Sequence, residues 1–90
     1  MKVRYSDRAV KDLTGFNAAD RTLIVNKIHY LADNFASLKL SKKIRELKGT
    51  NYDGQYRYTI ARKIRAIFRV EDDAIVMLIL RVGLRKNIYE

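Results

Sequence analysis

The ninety residues contain no cysteine and no proline, and a single histidine. Without cysteine there is no disulfide, no thiolate nucleophile and no thiolate ligand, so a stapled secreted scaffold does not fit. One histidine is too few for an ordinary zinc site. Long hydrophobic runs are also missing: none reaches the roughly 20 residues of a membrane span. The opening MKVRYSDRAV has no apolar signal region, so a cytoplasmic protein without membrane contact is expected.

What is present points to a small folded domain. Hydrophobic residues make up 48% of the chain, enough for a core and too many for a disordered basic tail. A single domain over residues 1–90 follows from the length. Lys and Arg number 19 against 10 Asp and Glu, a formal net charge of +9. The excess is uneven. Residues 1–38 carry six basic and four acidic side chains, residues 39–90 thirteen and six, so most of the positive field belongs to the second half. Such a field attracts polyanions: RNA, DNA or an acidic protein surface.

Along the chain, VRY at 3–5 suggests a short strand. Ser6 offers an N-cap to a short helix whose stripe is Ala9, Val10 and Leu13, stopped at Gly15. Asn17 and Asp20 resemble a capping box. Ile24, Ile28, Leu31 and Phe35 then recur at helical spacing and predict the main helix over 18–35. The stretch ASLKLSKKIRELKGTNYDG reads as a short helix or an irregular crossing loop. It holds the densest basic cluster, Lys39, Lys42, Lys43, Arg45 and Lys48. From Gln55 the period changes to two, and YRYTI, IRAIFRV and AIVMLILRV predict three strands joined by tight antiparallel connections at ARK and EDD. Helices first and strands later make an α+β fold, an N-terminal strand and helical hairpin packed on one face of a mainly antiparallel sheet.

If both connections are three-residue loops, alternation divides the sheet. One face then carries Tyr58, Ile60, Ile64, Ala66, Phe68, Val70, Val76, Leu78 and Leu80, the expected core. The other carries Arg57, Thr59, Arg65, Arg69 and Arg81 among Ile67, Met77 and Ile79. Guanidiniums over an apolar floor do not suit a buried face, because unpaired charges are costly to bury. They suit an open groove that holds a phosphate, although aliphatic stems over a solvated sheet would read the same way.

The run ELKGTNYDGQYRYTIARKIRAIFRV and the later DDAIVMLILRVGLRKNIY carry a further signal. Leucine-lysine-glycine, tyrosine-arginine, an arginine two residues into the next strand, valine-glycine-x-arginine and a late tyrosine occur in order. Over residues 44–89, and more loosely over VRYSDRAVKDL, the chain resembles the RelE/ParE superfamily of bacterial type II toxins. It is closer to the RNA-cleaving RelE branch than to the ParE branch that poisons DNA gyrase. The resemblance implies a messenger RNA endoribonuclease acting in the ribosomal A site without a metal or other cofactor, and neutralised by a cognate acidic antitoxin. Arg65 matches the arginine that stabilises the scissile phosphate, Arg85 the one that assists the leaving group, and Tyr89 the tyrosine that orients the nucleotide. Arg57 matches the first of two basic strand residues. Thr59, Arg81, Lys86 and Lys48 complete the expected RNA-contacting set. Three departures stand out: Thr59 where lysine is common, Leu84 where many relatives have histidine, and no counterpart to a helix following the late tyrosine.

The chemistry is plausible from these residues. RNA supplies its own 2′-hydroxyl nucleophile, and fixed guanidiniums stabilise the charge that develops on the phosphate. Arginine and tyrosine are poor bases near neutrality, and His29, one residue past the core position Ile28, reads as structural or solvent-exposed. The acidic trio Glu71, Asp72 and Asp73 falls in a turn, so no magnesium site is expected. Two further functions remain open, a gyrase-inhibiting or otherwise protein-docking toxin and a basic nucleic-acid-binding domain without cleavage. Beyond Gly83, which is expected to let the chain bend from the last strand, Arg85 and Tyr89 share one side whether the ending is helical or extended.

Overall fold

The computed structural model describes residues 1–88. Tyr89, expected in the site, lies outside the described residues. The elements run β1 (Lys2–Tyr5), α1 (Asp7–Thr14), α2 (Ala18–Asp33), α3 (Phe35–Leu40), β2 (Ile44–Glu46), a 3-10 turn (Thr50–Tyr52), β3 (Gln55–Thr59), β4 (Ile64–Glu71) and β5 (Val76–Leu84). The five strands are ordered β1-β5-β4-β3-β2. Among the described residues, only the β1–β5 pair is parallel. No helix among the described residues is long and apolar enough to cross a membrane.

Both expected caps form. Ser6 Oγ accepts from the Ala9 amide at 3.0 Å, and Asn17 Oδ1 from the Asp20 amide at 2.8 Å, each satisfying a donor that a helix start leaves bare. The main helix turns its buried Ile24, Ile28, Leu31 and Ala32 inward. They meet Tyr58, Ala66, Phe68, Met77, Ile79 and Val82 in one cluster. The crossing segment is more regular than a loop. After α3, Lys42 adopts a left-handed turn at φ 63°, and the chain enters β2, a three-residue strand at the sheet edge.

The sheet faces differ from the expectation at β5. The ARK connection has the expected register, Thr59 opposite Arg65 and Arg57 opposite Ile67. The next connection does not. Asp72, Asp73 and Ala74 take positive φ values of 53°, 51° and 70°, and Ile75 N–H donates to Asp72 O at 3.0 Å. The loop is therefore one residue longer, and one residue reverses every side chain beyond it. Val70 pairs with Met77 and Phe68 with Ile79. Met77 and Ile79 join the helical core, while Val76, Leu78 and Leu80 belong to the opposite face.

A bulge then reverses the phase again. Phe68 pairs with Ile79 but Ile67 with Arg81, leaving Leu80 as the extra residue of β5. The loop and the bulge each displace the register by an odd number of residues, so together they restore the phase at Arg81, which faces the side expected of it.

Candidate functional site

On the face opposite the helical core, two cross-strand rows define a groove. One runs Arg57–Ile67–Arg81 and the other Thr59–Arg65–Gly83 across β3, β4 and β5. Ile67 is 2% exposed yet lies outside the helical cluster. Its cover comes from the end of the chain. Ile88 N–H donates to Leu84 O at 3.0 Å, one helical turn, and Ile88 is 1% exposed. A Cβ built on Gly83 would stand 3.8 Å from Ile88 Cβ, and Ile88 and Ile67 line one concavity, so the turn folds back over both rows. Gly83 remains within β5, paired with Arg65. The chain leaves the strand at Leu84 and Arg85, not at the glycine.

Beside this cover, the groove opens into a concavity of about 480 Å³, with Ile67, Leu80 and Ile88 as its floor and Arg8, Tyr52 and Arg81 among its walls. Arg81 is anchored there. Its Nε donates to Asp12 Oδ2 at 2.8 Å, and the same oxygen accepts from Val82 N–H at 3.0 Å. Ser6 Oγ donates to Leu80 O at 2.9 Å. The bulge that turns Arg81 into the groove is thus held from outside by the start and middle of α1. Asp12 and Arg81 are 69 residues apart in the sequence, and no local pattern signals the pair.

Arg65 is different. Its Nε and Nη1 are buried, and neither has a hydrogen-bond partner among the described residues. A guanidinium keeps its charge at any ordinary pH, so a donor pair left bare in a low-dielectric site favours an anion. Arg69, four residues further along β4, places Nη2 3.2 Å from Glu71 Oε2, while its Nε is, like that of Arg65, buried without a partner among the described residues. Thr59 stands exposed opposite Arg65. Arg57 is half-buried on the same face.

Arg85 and Lys86 are exposed just beyond Gly83 and Leu84, the partners of Arg65 and Ile64. Arg85 N–H donates to Lys63 O at 3.0 Å, and Lys63, Arg85 and Lys86 share a second concavity at this end of the sheet. Lys63 was not singled out from the sequence; its role in the ARK loop gave no chemical signal. Lys48 is exposed beyond β2 and lines none of these concavities. His29 is exposed on α2. Among the described residues, no three carboxylates or imidazoles lie close enough together to hold a metal ion.

A family model described as the ParE toxin of type II toxin-antitoxin system, parDE, matches residues 3–89. No curated protein sequence matches the chain. Among solved structures, it resembles a chain of a RelBE toxin-antitoxin complex from Mycobacterium tuberculosis at 21% identity. That match covers 93% of this chain and 96% of the other, with a TM-score of 0.69. A chain of the archaeal RelE-RelB complex from Pyrococcus horikoshii is 21% identical over 96% of both chains, with a TM-score of 0.67. A chain of the Escherichia coli DinJ-YafQ complex is 19% identical over 99% of this chain and 98% of that one, with a TM-score of 0.66. At these identities the structural likeness is one of fold.

Proposed function

This chain belongs to the RelE/ParE superfamily of type II toxin-antitoxin toxins, and from that premise we propose that it is an endoribonuclease that cuts messenger RNA in the ribosomal A site. The observation that carries this reading is the half-buried Arg65, whose Nε and Nη1 are buried without a partner among the described residues. The 2′-oxygen attacks phosphorus, the bond from phosphorus to the 5′-oxygen breaks, and a 2′,3′-cyclic phosphate and a 5′-hydroxyl result. Arg65 stabilises the extra negative charge on the phosphate oxygens. Arg85, at the open end of the β4–β5 pair, meets the departing 5′-oxygen, and Tyr89 orients the base. Arg57, Thr59, Lys86 and Lys48 hold flanking nucleotides, while Arg81, tied to Asp12, shapes the groove wall. The one imidazole sits on α2, so removal of the 2′-proton falls to groups outside the described residues or to the ribosome. A cognate acidic antitoxin neutralises the protein by covering the groove.

The test is cleavage of message on programmed ribosomes. Arg65→Ala is expected to lose about 10²–10³ in rate, by analogy with a lost oxyanion-hole donor, with thermal stability close to that of the parent. Full activity in Arg65→Ala refutes this site. A second reading, a ParE-like toxin that docks on DNA gyrase without catalysis, is favoured by the family model's own description and by the uncharged Thr59. Gyrase-dependent DNA breaks with intact message select it.

A further inference from the structure

Of the five cations clustered between residues 39 and 48, the structure sorts three into a site of their own. Lys39 leaves the group: its Nζ lies 5.8 Å from the Phe35 ring and 5.3 Å from the Tyr56 ring, which engages its charge with aromatic faces. Lys48 lines no concavity with the others. Lys42, Lys43 and Arg45 instead converge with Lys27 of α2 and with Arg57 and Thr59 of β3 around a hollow of about 450 Å³ at the corner where β2 begins. Among the described residues, no acidic side chain lines it. Lys27, Lys42, Lys43 and Arg45 form no ion pair among the described residues.

The hollow lies at the sheet edge between the two faces, since Lys27 of α2 and the core residues Tyr58 and Ile60 line it beside groove-face residues. Arg45 pairs with Arg57, Arg57 with Ile67, and Thr59 with Arg65, so these side chains share the groove face. Strands repeat at about 4.8 Å, which puts β2 about 10 Å from the strand of Arg65. Lys42 adds an independent sign. It holds φ at 63°, a conformation that favours glycine and strains other residues. The chain places there a lysine whose charge points to a shared hollow rather than the residue that would relax the turn.

We propose that this corner hollow is a second anion site, in which Lys27, Lys42, Lys43 and Arg45 hold the phosphates of single-stranded RNA running off the groove across β3 and β2. Four uncompensated cations in one concavity suit a repeating, closely spaced anion. Arg57 and Thr59 belong both to this hollow and to the groove rows, which favours one continuous strand over an acidic peptide seated at the hollow alone. The direction of the strand rests on the endoribonuclease reading; the anion site itself does not.

The experiment measures binding of a 2′-O-methyl RNA dodecamer, which has no 2′-hydroxyl to react, by the full chain over a range of salt concentrations. Each lost phosphate contact to a single strand lowers the slope of log affinity against log salt by about 0.7. The triple variant Lys42→Gln, Lys43→Gln, Arg45→Gln is therefore expected to lower it by about 2. A control triple, Lys2→Gln, Lys11→Gln, Arg21→Gln, removes the same charge elsewhere and is expected to leave the slope close to the parent's. Lys42→Gly removes one charge and relaxes the turn, so a slope lower by about 0.7 in a chain that melts no earlier than the parent supports the site even if the triple variant folds poorly. Equal slopes in the two triples, or a pocket triple that binds RNA as the parent does while losing a polyglutamate peptide, overturn the proposal. Loss of cleavage is read separately, in Arg65→Ala, so a parent chain that cuts nothing yet shows the slope difference defeats the endoribonuclease reading and leaves the anion site standing.

Discussion

Tyr5 carries a hydroxyl that is buried without a hydrogen-bond partner, and burial pushes its pKa above the ordinary 10.0. The raised value belongs to the folded state. Stability from the neutral phenol is therefore complete below about pH 10 and falls as pH rises through the folded pKa. Tyr58 is raised in the same sense, first by burial and then by Tyr30, so the alkaline limb has two contributors. Tyr5→Phe removes an unsatisfied polar atom while keeping the ring. It is expected to stabilise the fold by up to about 1 kcal/mol and to flatten the decline in melting temperature above pH 10. A Tyr5→Phe chain that melts earlier than the parent at pH 7 shows that the hydroxyl is satisfied after all. The contrast with Arg65 is instructive. Both side chains leave buried polar atoms bare, but a neutral hydroxyl in the core attracts nothing, whereas a permanent cation on the groove face attracts phosphate.

The bulge in β5 is the element on which the groove depends. Its extra residue, Leu80, is held through Ser6 Oγ, and the next turn of the strand through Asp12. Asp12→Ala removes the acceptor of both Val82 N–H and Arg81 Nε at once. The expected loss is about 2–3 kcal/mol, read as a shift of the urea midpoint, with faster hydrogen exchange at the Val82 amide. Unchanged exchange there shows that the bulge holds without α1. At the opposite side of the groove, the C-terminal turn rests on Ile88. Ile88→Ala is expected to cost about 2 kcal/mol, the low end for a buried isoleucine because the site can collapse, and to lower cleavage by loosening the turn that begins at Arg85. Gly83→Ala tests whether the chain leaves the strand beyond the glycine rather than at it. An added methyl meets Ile88 at ordinary contact distance, and Gly83 is not among the glycines with positive φ. The fold should survive with a stability change under about 1 kcal/mol, whereas a true hinge glycine would not tolerate the change.

For the whole molecule, the field of +9 governs how partners arrive. An acidic antitoxin that associates with it should do so at a rate that falls at least tenfold between about 0.05 M and 0.5 M salt, as the Debye length shrinks below the size of the charged face. Stopped-flow mixing with the protein encoded beside this chain checks the prediction. A rate insensitive to salt places recognition on apolar contacts instead. Because the cations cluster on the groove face and its β2 corner, the antitoxin and RNA would compete for one surface.

Local chemistry was legible in the sequence wherever neighbours along the chain decide the outcome. The caps at Ser6 and Asn17, the helical stripe from Ile24 to Leu31, the β3–β4 register and the ordered motifs from Leu47 to Arg85 all depend on residues a few positions apart. The order of those motifs also carried the family. The rest was decided by tertiary structure because it depends on counts of one. A single extra loop residue moved Met77 and Ile79 into the core, and a single bulged residue returned Arg81 to the groove. Period-two alternation cannot register either change, since a shift of one residue preserves the pattern and reverses its meaning. Contacts made across the fold were equally hidden. Asp12 finds Arg81, Ile88 covers Gly83, and Lys27 joins Lys42 and Lys43, only when packing brings distant segments together.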